Sequence, residues 1–271
     1  MAVISPVTGL DVAQPHLAAE LGASQSTLLW IINGPGHRPA RRDGHHRVLC
    51  GRLANRHVDR RGHHGGPVRR TLAGVRYRYE ITQAVVRQGI IAIIRTADAS
   101  SAVQAAAPLL DAGIMSLELP LTNPGALEAI RQLRADHPAA VIGAGSVLDE
   151  ASAVAAVRAG AQFLVAPNLN VPVIQAGHRY GAPVLPGAGS VSEVVQALEA
   201  GADAVKVFPA PTPQWVRDVL AVLPYAPLVP TGGVAPADVP AWLEAGAVAC
   251  GVGSALARTP IDEIKSLLRG A

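Results

Sequence analysis

The sequence predicts an α/β fold, a (β/α)8 barrel over residues 80–271, and three observations predict it. Short β-branched runs alternate with Ala/Leu-rich stretches of helical period, the pattern of βα units around a parallel sheet. The helical stretches commonly end in Gly, as at Ala112-Gly113, Ala159-Gly160, Tyr180-Gly181, Ala200-Gly201 and Ala245-Gly246, a helix-stop signal. The unit recurs about every 20 to 25 residues, and GAGSV occurs at 143 and again at 187 in equivalent strand-to-helix positions.

In chain order the expected strands are 90–95 (IIAIIR), 114–119 (IMSLEL), 140–145 (AVIGAG), 162–166 (QFLVA), 182–186 (APVLP), 203–208 (DAVKVF), 227–231 (PLVPT) and 247–252 (AVACGV). They are nearly continuous apolar runs because both faces of such a sheet are buried. The helices between them are expected near 99–112, 124–137, 149–159, 171–180, 191–200, 213–223, 236–245 and 260–269. A doubly wound open sheet is the rival arrangement of the same pattern.

A length of 271 residues, 49% of them hydrophobic, suits one large core. Cys50 and Cys250 form neither a disulfide framework nor a metal-ligand spacing, and they fit a reducing cytosol. No run approaches the roughly 18 to 20 apolar residues that span a bilayer. TLLWII, at 27–32, is cut short by Asn33, Gly34, Pro35 and Gly36, and the start lacks a signal peptide's basic and long apolar regions. A soluble, cytoplasmic protein with no membrane partner is expected.

The net charge of +3 hides a split. Residues 37–79 carry twelve Arg against Asp43 and Asp59, whereas residues 80–271 carry eleven basic against sixteen acidic side chains. The first of these segments has no apolar periodicity and cannot bury enough surface to offset its ordering entropy. Residues 1–79 are therefore expected to be a disordered Arg/His-rich extension, with the barrel domain at 80–271. Residues 1–33 resemble the start of a major facilitator drug-efflux transporter whose opening helix does not continue, which a junction or shifted reading frame would explain. Binding of nucleic acid or anionic lipid by the basic stretch would be non-specific and strongly salt dependent; no nucleic-acid partner is expected. His45, His46, His63 and His64 lie in this stretch too, and their grouping is read as composition, with no metal site.

In a (β/α)8 barrel the active site lies at the C-terminal ends of the strands. Few polar residues fall there: Arg95, Glu118, Thr122, Ser146, Lys206 and Thr231, with Pro167 and the pairs Gly232/Gly233 and Gly253/Ser254. Lys206 is one of two lysines in the chain, the other being Lys265, and it sits inside the apolar run DAVKVFPAP. An amine kept from water is favoured in its neutral form, which attacks a carbonyl carbon to give a carbinolamine and then a Schiff base. A lysine whose stem packs in the core while its head finds a structural carboxylate fits the strand equally well. Glu118, in LEL, brings a carboxylate to the same mouth, where it can move protons for an iminium or serve as the lysine's salt-bridge partner.

TGGV after the seventh strand and GVGSAL after the eighth fall in the loops where barrels bind phosphate through backbone N–H groups and a helix N-terminus. Arg95 suits bidentate capture of a substrate carboxylate, or an ion pair at the barrel rim. A dinucleotide site is not expected, because GAGSVL and GAGSVS lack the third Gly of its fingerprint. No Ser-His-Asp set is expected either, since His137 and His178 fall on helical stretches.

IIAIIR, LELPLTNPGALEAI, VIGAGSVL, FLVAPNLN, PVLPGAGSVSEV, AVKVFPA and PTGGV, in this order, resemble the 2-keto-3-deoxy-6-phosphogluconate (KDPG) and 4-hydroxy-2-oxoglutarate (KHG) aldolases over residues 81–269. The resemblance implies a class I, metal-independent aldolase without cofactor, usually a homotrimer, acting on a phosphorylated 2-keto-3-deoxy sugar acid and on pyruvate. It implies that Lys206 forms the Schiff base and that Glu118 shuttles protons. Ser146 and Pro167 would line the pyruvate end, Phe208 would pack beside the lysine, and Gly232, Gly233 and Ser254, with Gly253, would hold the phosphate. Thr122 stands where the best-known phosphogluconate aldolases carry Arg, while Arg95 and ELPLTNP resemble the 6-phosphogalactonate branch, which leaves the C4 epimer open. A phosphosugar isomerase or thiamine-phosphate-type barrel would share the phosphate loops and have no use for Lys206.

Overall fold

A computed structural model describes residues 77–268. The expected extension up to residue 76 lies outside the described residues. Arg78 and Tyr79, assigned on sequence to that extension, instead open helix α1 (Arg78–Val86). The Glu80 carboxylate accepts from the Tyr77 N–H at 3.0 Å and so satisfies a donor at the helix start. Arg78 Nε pairs with Asp203 at 3.2 Å.

The strands are β1 (Ile90–Ile93), β2 (Ser116–Pro120), β3 (Val141–Gly145), β4 (Phe163–Val165), β5 (Val184–Leu185), β6 (Gly187–Ala188), β7 (Val205–Val207), β8 (Leu228–Pro230) and β9 (Cys250–Val252). Two parallel ladders run in the orders β5-β4-β3-β2-β1-β9 and β6-β7-β8. Pro186 separates β5 from β6, and its carbonyl still accepts from the Lys206 N–H at 2.9 Å, so the two pieces fill one strand position. A parallel bridge between Thr231 and Gly251 joins β8 to β9 and closes the ring. Nine segments thus fill eight positions, the expected (β/α)8 barrel.

The surrounding helices are α2 (Ala99–Asp111), α3 (Ala126–Asp136), α4 (Glu150–Arg158), α5 (Val171–Arg179), α6 (Val191–Glu199), α7 (Pro213–Val222), α8 (Val239–Glu244) and α9 (Ile261–Leu267). Asp98, Asp149, Asn170, Ser190 and Thr212 each accept a backbone N–H at a helix start, and these starts lie at the mouth of the barrel because each helix follows the C-terminal end of a strand. The segment expected as one helix over 236–245 is a 3-10 turn, Pro236–Asp238, followed by the short α8.

Outward strand residues such as Leu117, Leu119, Val205 and Val207 pack against the helices. Inward ones, including Ile91, Val141, Phe163, Val165, Leu185 and Val229, form a second core inside the barrel, closed from below by Ile81 and Val85 of α1. With two buried residues, α1 leaves no periodic stripe in the sequence to announce it. Among the described residues no helix is long and apolar enough to cross a membrane.

Candidate active site

Side chains alternate across a strand, so the outward Val205 and Val207 turn Lys206 into the barrel, and the outward Leu117 and Leu119 do the same for Glu118. Phe163 fills the space over Gly143, and the Glu118 carboxylate fills the space over Gly145, the next inward position on β3. Lys206 is 6% exposed and Glu118 3%. The Lys206 Nζ lies 5.2 Å from the centre of the half-open Phe208 ring.

Burial pushes the Glu118 carboxyl above its ordinary range, against the opposing pull of the Lys206 and Arg95 cations. A carboxylate with raised proton affinity beside an amine is an arrangement for proton transfer. Neither a hydrogen bond nor an ion pair closes between Glu118 and Lys206 among the described residues, so the two do not form a sealed structural salt bridge.

A cavity of about 430 Å³ opens over the pair. Arg95, Ser146, Pro167, Lys206, Phe208, Thr231, Gly232, Gly233, Gly253 and Ser254 all line it. Glu118 lies buried beneath it, coupled to Lys206 and Arg95. Thr122, the remaining candidate, is exposed and does not line the cavity. A turn in which the Asn123 N–H donates to the Pro120 carbonyl at 2.9 Å carries Thr122 outward and buries Asn123 instead.

Ser146, at the end of β3, takes a left-handed φ of 55°, unusual for a residue with a Cβ and a conformation that clusters at functional sites. Gly232 and Gly233 have φ of 87° and 79°. A Cβ on Gly232 would come 2.8 Å from the Phe208 ring, whereas one on Gly233 or Gly253 would meet nothing within 4 Å. Protein atoms therefore leave the space over Gly233 and Gly253 open, and both glycines line the cavity. The helix start expected behind TGGV is the three-residue 3-10 turn Pro236–Asp238, so the loop is followed by no full helix N-terminus there.

Gly145, Gly251, Ile93, Val234, Ala235 and Ala255 complete the site and were not anticipated. Gly145 was visible in GAG, where counting by two from Gly143 gives the next inward position. Of the two barrel histidines, His178 on α5 binds Asp203 at 2.9 Å near the start of β7, away from the mouth, and His137 follows the end of α3. Among the described residues no group of three or more His, Cys, Asp or Glu could hold a metal. A larger concavity, about 540 Å³, lies at the other end of the barrel around Glu80, Arg87, Gln88 and Met115, and holds no predicted site residue.

Comparison with known proteins identifies the family. The chain is 38% identical over 175 residues to the 2-dehydro-3-deoxy-6-phosphogalactonate aldolase of Escherichia coli K12, covering 62% of this chain and 84% of that one. It is 32% identical over 180 residues to the KHG/KDPG aldolase of the same strain, covering 65% and 84%. It is also similar to the crystal structure of a KDPG aldolase from Legionella pneumophila with pyruvate captured as a covalent carbinolamine intermediate. That match has 28% identity and a TM-score of 0.61, covering 69% of this chain and 95% of that one. The family model for KDPG and KHG aldolase matches residues 81–266, the span of the barrel and its mouth, and the chain belongs to that aldolase family.

Proposed function

We propose that the protein is a class I aldolase that reversibly cleaves 2-dehydro-3-deoxy-6-phosphogluconate to pyruvate and glyceraldehyde 3-phosphate through a Schiff base on Lys206. The observation that carries this reading is the open pairing of the Lys206 amine with the buried Glu118 carboxyl under a single cavity.

The neutral amine adds to the C2 ketone, and loss of water gives the iminium. Glu118 takes the proton of the C4 hydroxyl as the C3–C4 bond breaks, and the electron pair of that bond moves into the iminium to give an enamine. Glyceraldehyde 3-phosphate leaves, C3 takes up a proton, and water at C2 releases pyruvate and the free amine. Arg95 receives the substrate carboxylate, and Ser146 and Pro167 line the pyruvate end. Phe208 covers the lysine, and Gly232, Gly233, Gly253 and Ser254, beside Thr231, receive the phosphate.

Borohydride added with pyruvate tests this by reducing the imine. One pyruvate-derived adduct per chain is expected, on the peptide containing AVKVF. Lys206→Arg should abolish adduct and turnover, whereas Glu118→Gln should retain some adduct and lower kcat by about 10² to 10⁴. An adduct on Lys265, or turnover that survives Lys206→Arg and vanishes with a chelator, overturns the reading.

A second substrate, the C4 epimer 2-dehydro-3-deoxy-6-phosphogalactonate, is favoured by two observations. They are the 38% identity to the enzyme named for it and the presence of Arg95, but not residue 122, in the cavity. Pyruvate release measured on both epimers and on 4-hydroxy-2-oxoglutarate decides among them.

A further inference from the structure

In the parallel ladder between β1 and β2, Ile93 stands beside Glu118, and the Ile94 N–H donates to the Glu118 carbonyl at 2.9 Å. The regular alternation then requires residue 120 of β2 to donate back to the Ile94 carbonyl. Residue 120 is a proline and has no N–H. Ile94 is buried, so its carbonyl would be left without a partner. The donor comes from elsewhere: Asn123 Nδ2 reaches the Ile94 carbonyl at 2.7 Å, from a side chain that is 8% exposed.

The turn from Pro120 to Asn123 makes this reach possible. The same loop comes close to the first residue of α2 at Gly125, where a Cβ would come 3.0 Å from that of Ala99. Arg95 follows Ile94 directly. Among the described residues it has no hydrogen bond or ion pair of its own, and its guanidinium acts through space on Glu118. Its location is therefore set by the backbone that precedes it.

We infer that Asn123 is a positioning residue: its side-chain amide supplies the rung that Pro120 cannot, and so holds Arg95 at the mouth of the cavity. The inference rests on the proposed reading of Arg95 as the site of the substrate carboxylate. It predicts that the rung matters and that its chemical source does not.

The test compares the full-length wild type with Asn123→Ala and with the double variant Pro120→Ala/Asn123→Ala, which regains a backbone N–H at 120. Asn123→Ala should raise KM for the phosphorylated sugar acid about tenfold, the effect of one buried hydrogen bond, with kcat changed less than about threefold. The acid limb of its kcat/KM profile should move to higher pH, because a displaced Arg95 no longer favours the ionised form of Glu118. The double variant should restore both KM and the profile, although the amide is still missing. An Asn123→Ala enzyme with unchanged KM and profile overturns the inference, as does a double variant that is not rescued. Where Asn123→Ala alone fails to fold, the double variant decides: wild-type KM supports the inference, and a raised KM or a failure to fold overturns it. Borohydride trapping on the wild type runs in parallel, and absence of its Lys206 adduct counts against the proposed function, separately from the role of Asn123.

Discussion

The carboxylate of Glu118 occupies the space that a Cβ on Gly145 would fill. In the β2–β3 ladder Glu118 stands beside Gly143, but the Phe163 ring already takes the room there, so the carboxylate covers the next inward glycine. Two glycines on one strand therefore make room for the aromatic floor and for the acid above it.

Gly145→Ala should displace the Glu118 carboxylate while leaving the outward faces of β2 and β3 untouched. Overpacking of this kind costs about 1–3 kcal/mol, so a folded enzyme with a lower Tm is expected. Its kcat should fall by about 10² or more while the pyruvate adduct on Lys206 persists. Steady-state kinetics and borohydride trapping on the purified variant check this, and an unchanged kcat would mean that the carboxylate tolerates displacement.

Glu118 also makes stability depend on pH. Burial holds its folded-state pKa above the ordinary 4.5, so the native state binds more protons than the unfolded state between those two values. Stability is then lost as pH rises through that window, by about 1.4 kcal/mol for each unit separating the two values. Glu118→Gln removes this loss. The variant should melt above the wild type at pH 7, and the gap should shrink as the pH falls towards 4. A gap that is constant with pH would show that Glu118 does not titrate in this way.

Gly253→Ala gives a clean test of the phosphate end. A Cβ there meets nothing within 4 Å in the protein itself, so Tm should stay within about 1 °C of the wild type, as for other substitutions without strain or clash. Gly253 lines the cavity at the end proposed for the phosphate, where an added methyl group takes up room. KM for the phosphorylated substrate should rise about tenfold, the effect of one charged hydrogen bond, while KM for 4-hydroxy-2-oxoglutarate stays put. Equal changes for both substrates would place the phosphate elsewhere.

Much of this arrangement could be read from the chain because it follows from local rules. Seven of the nine strand segments lie within a run predicted from β-branched composition; β2 runs one residue past its run, to Pro120, and β6 (Gly187–Ala188) follows the run that ends at 186. Lys206 and Glu118 follow from the alternation of their apolar neighbours. What escaped depends on partners far along the chain. Helix α1 is held by Ile81 and Val85 under the barrel and by Arg78 on Asp203, more than a hundred positions away. Asn123 carries no sign in TNPG that it will complete a ladder on another strand. Thr122 is expected at the mouth because it is a polar residue just past the second strand, but the turn that begins at Pro120 carries it outward, away from the cavity.

The join between β8 and β9 gives the barrel an unequal circumference. Between β2 and β3 five residue pairs are in register, from Ser116–Val141 to Pro120–Gly145. At the join there are the Thr231–Gly251 bridge and one bond from the Val248 N–H to the Leu228 carbonyl at 3.0 Å. Gly232 and Gly233 flank this join on one side, and Gly253 and Ser254 on the other. A dianion gripped by both loops would act as a staple across the weakest stave of the cask. Loading the enzyme with substrate should therefore tighten the wall itself, with amide protons near Thr231 and Gly251 exchanging more slowly when the site is filled.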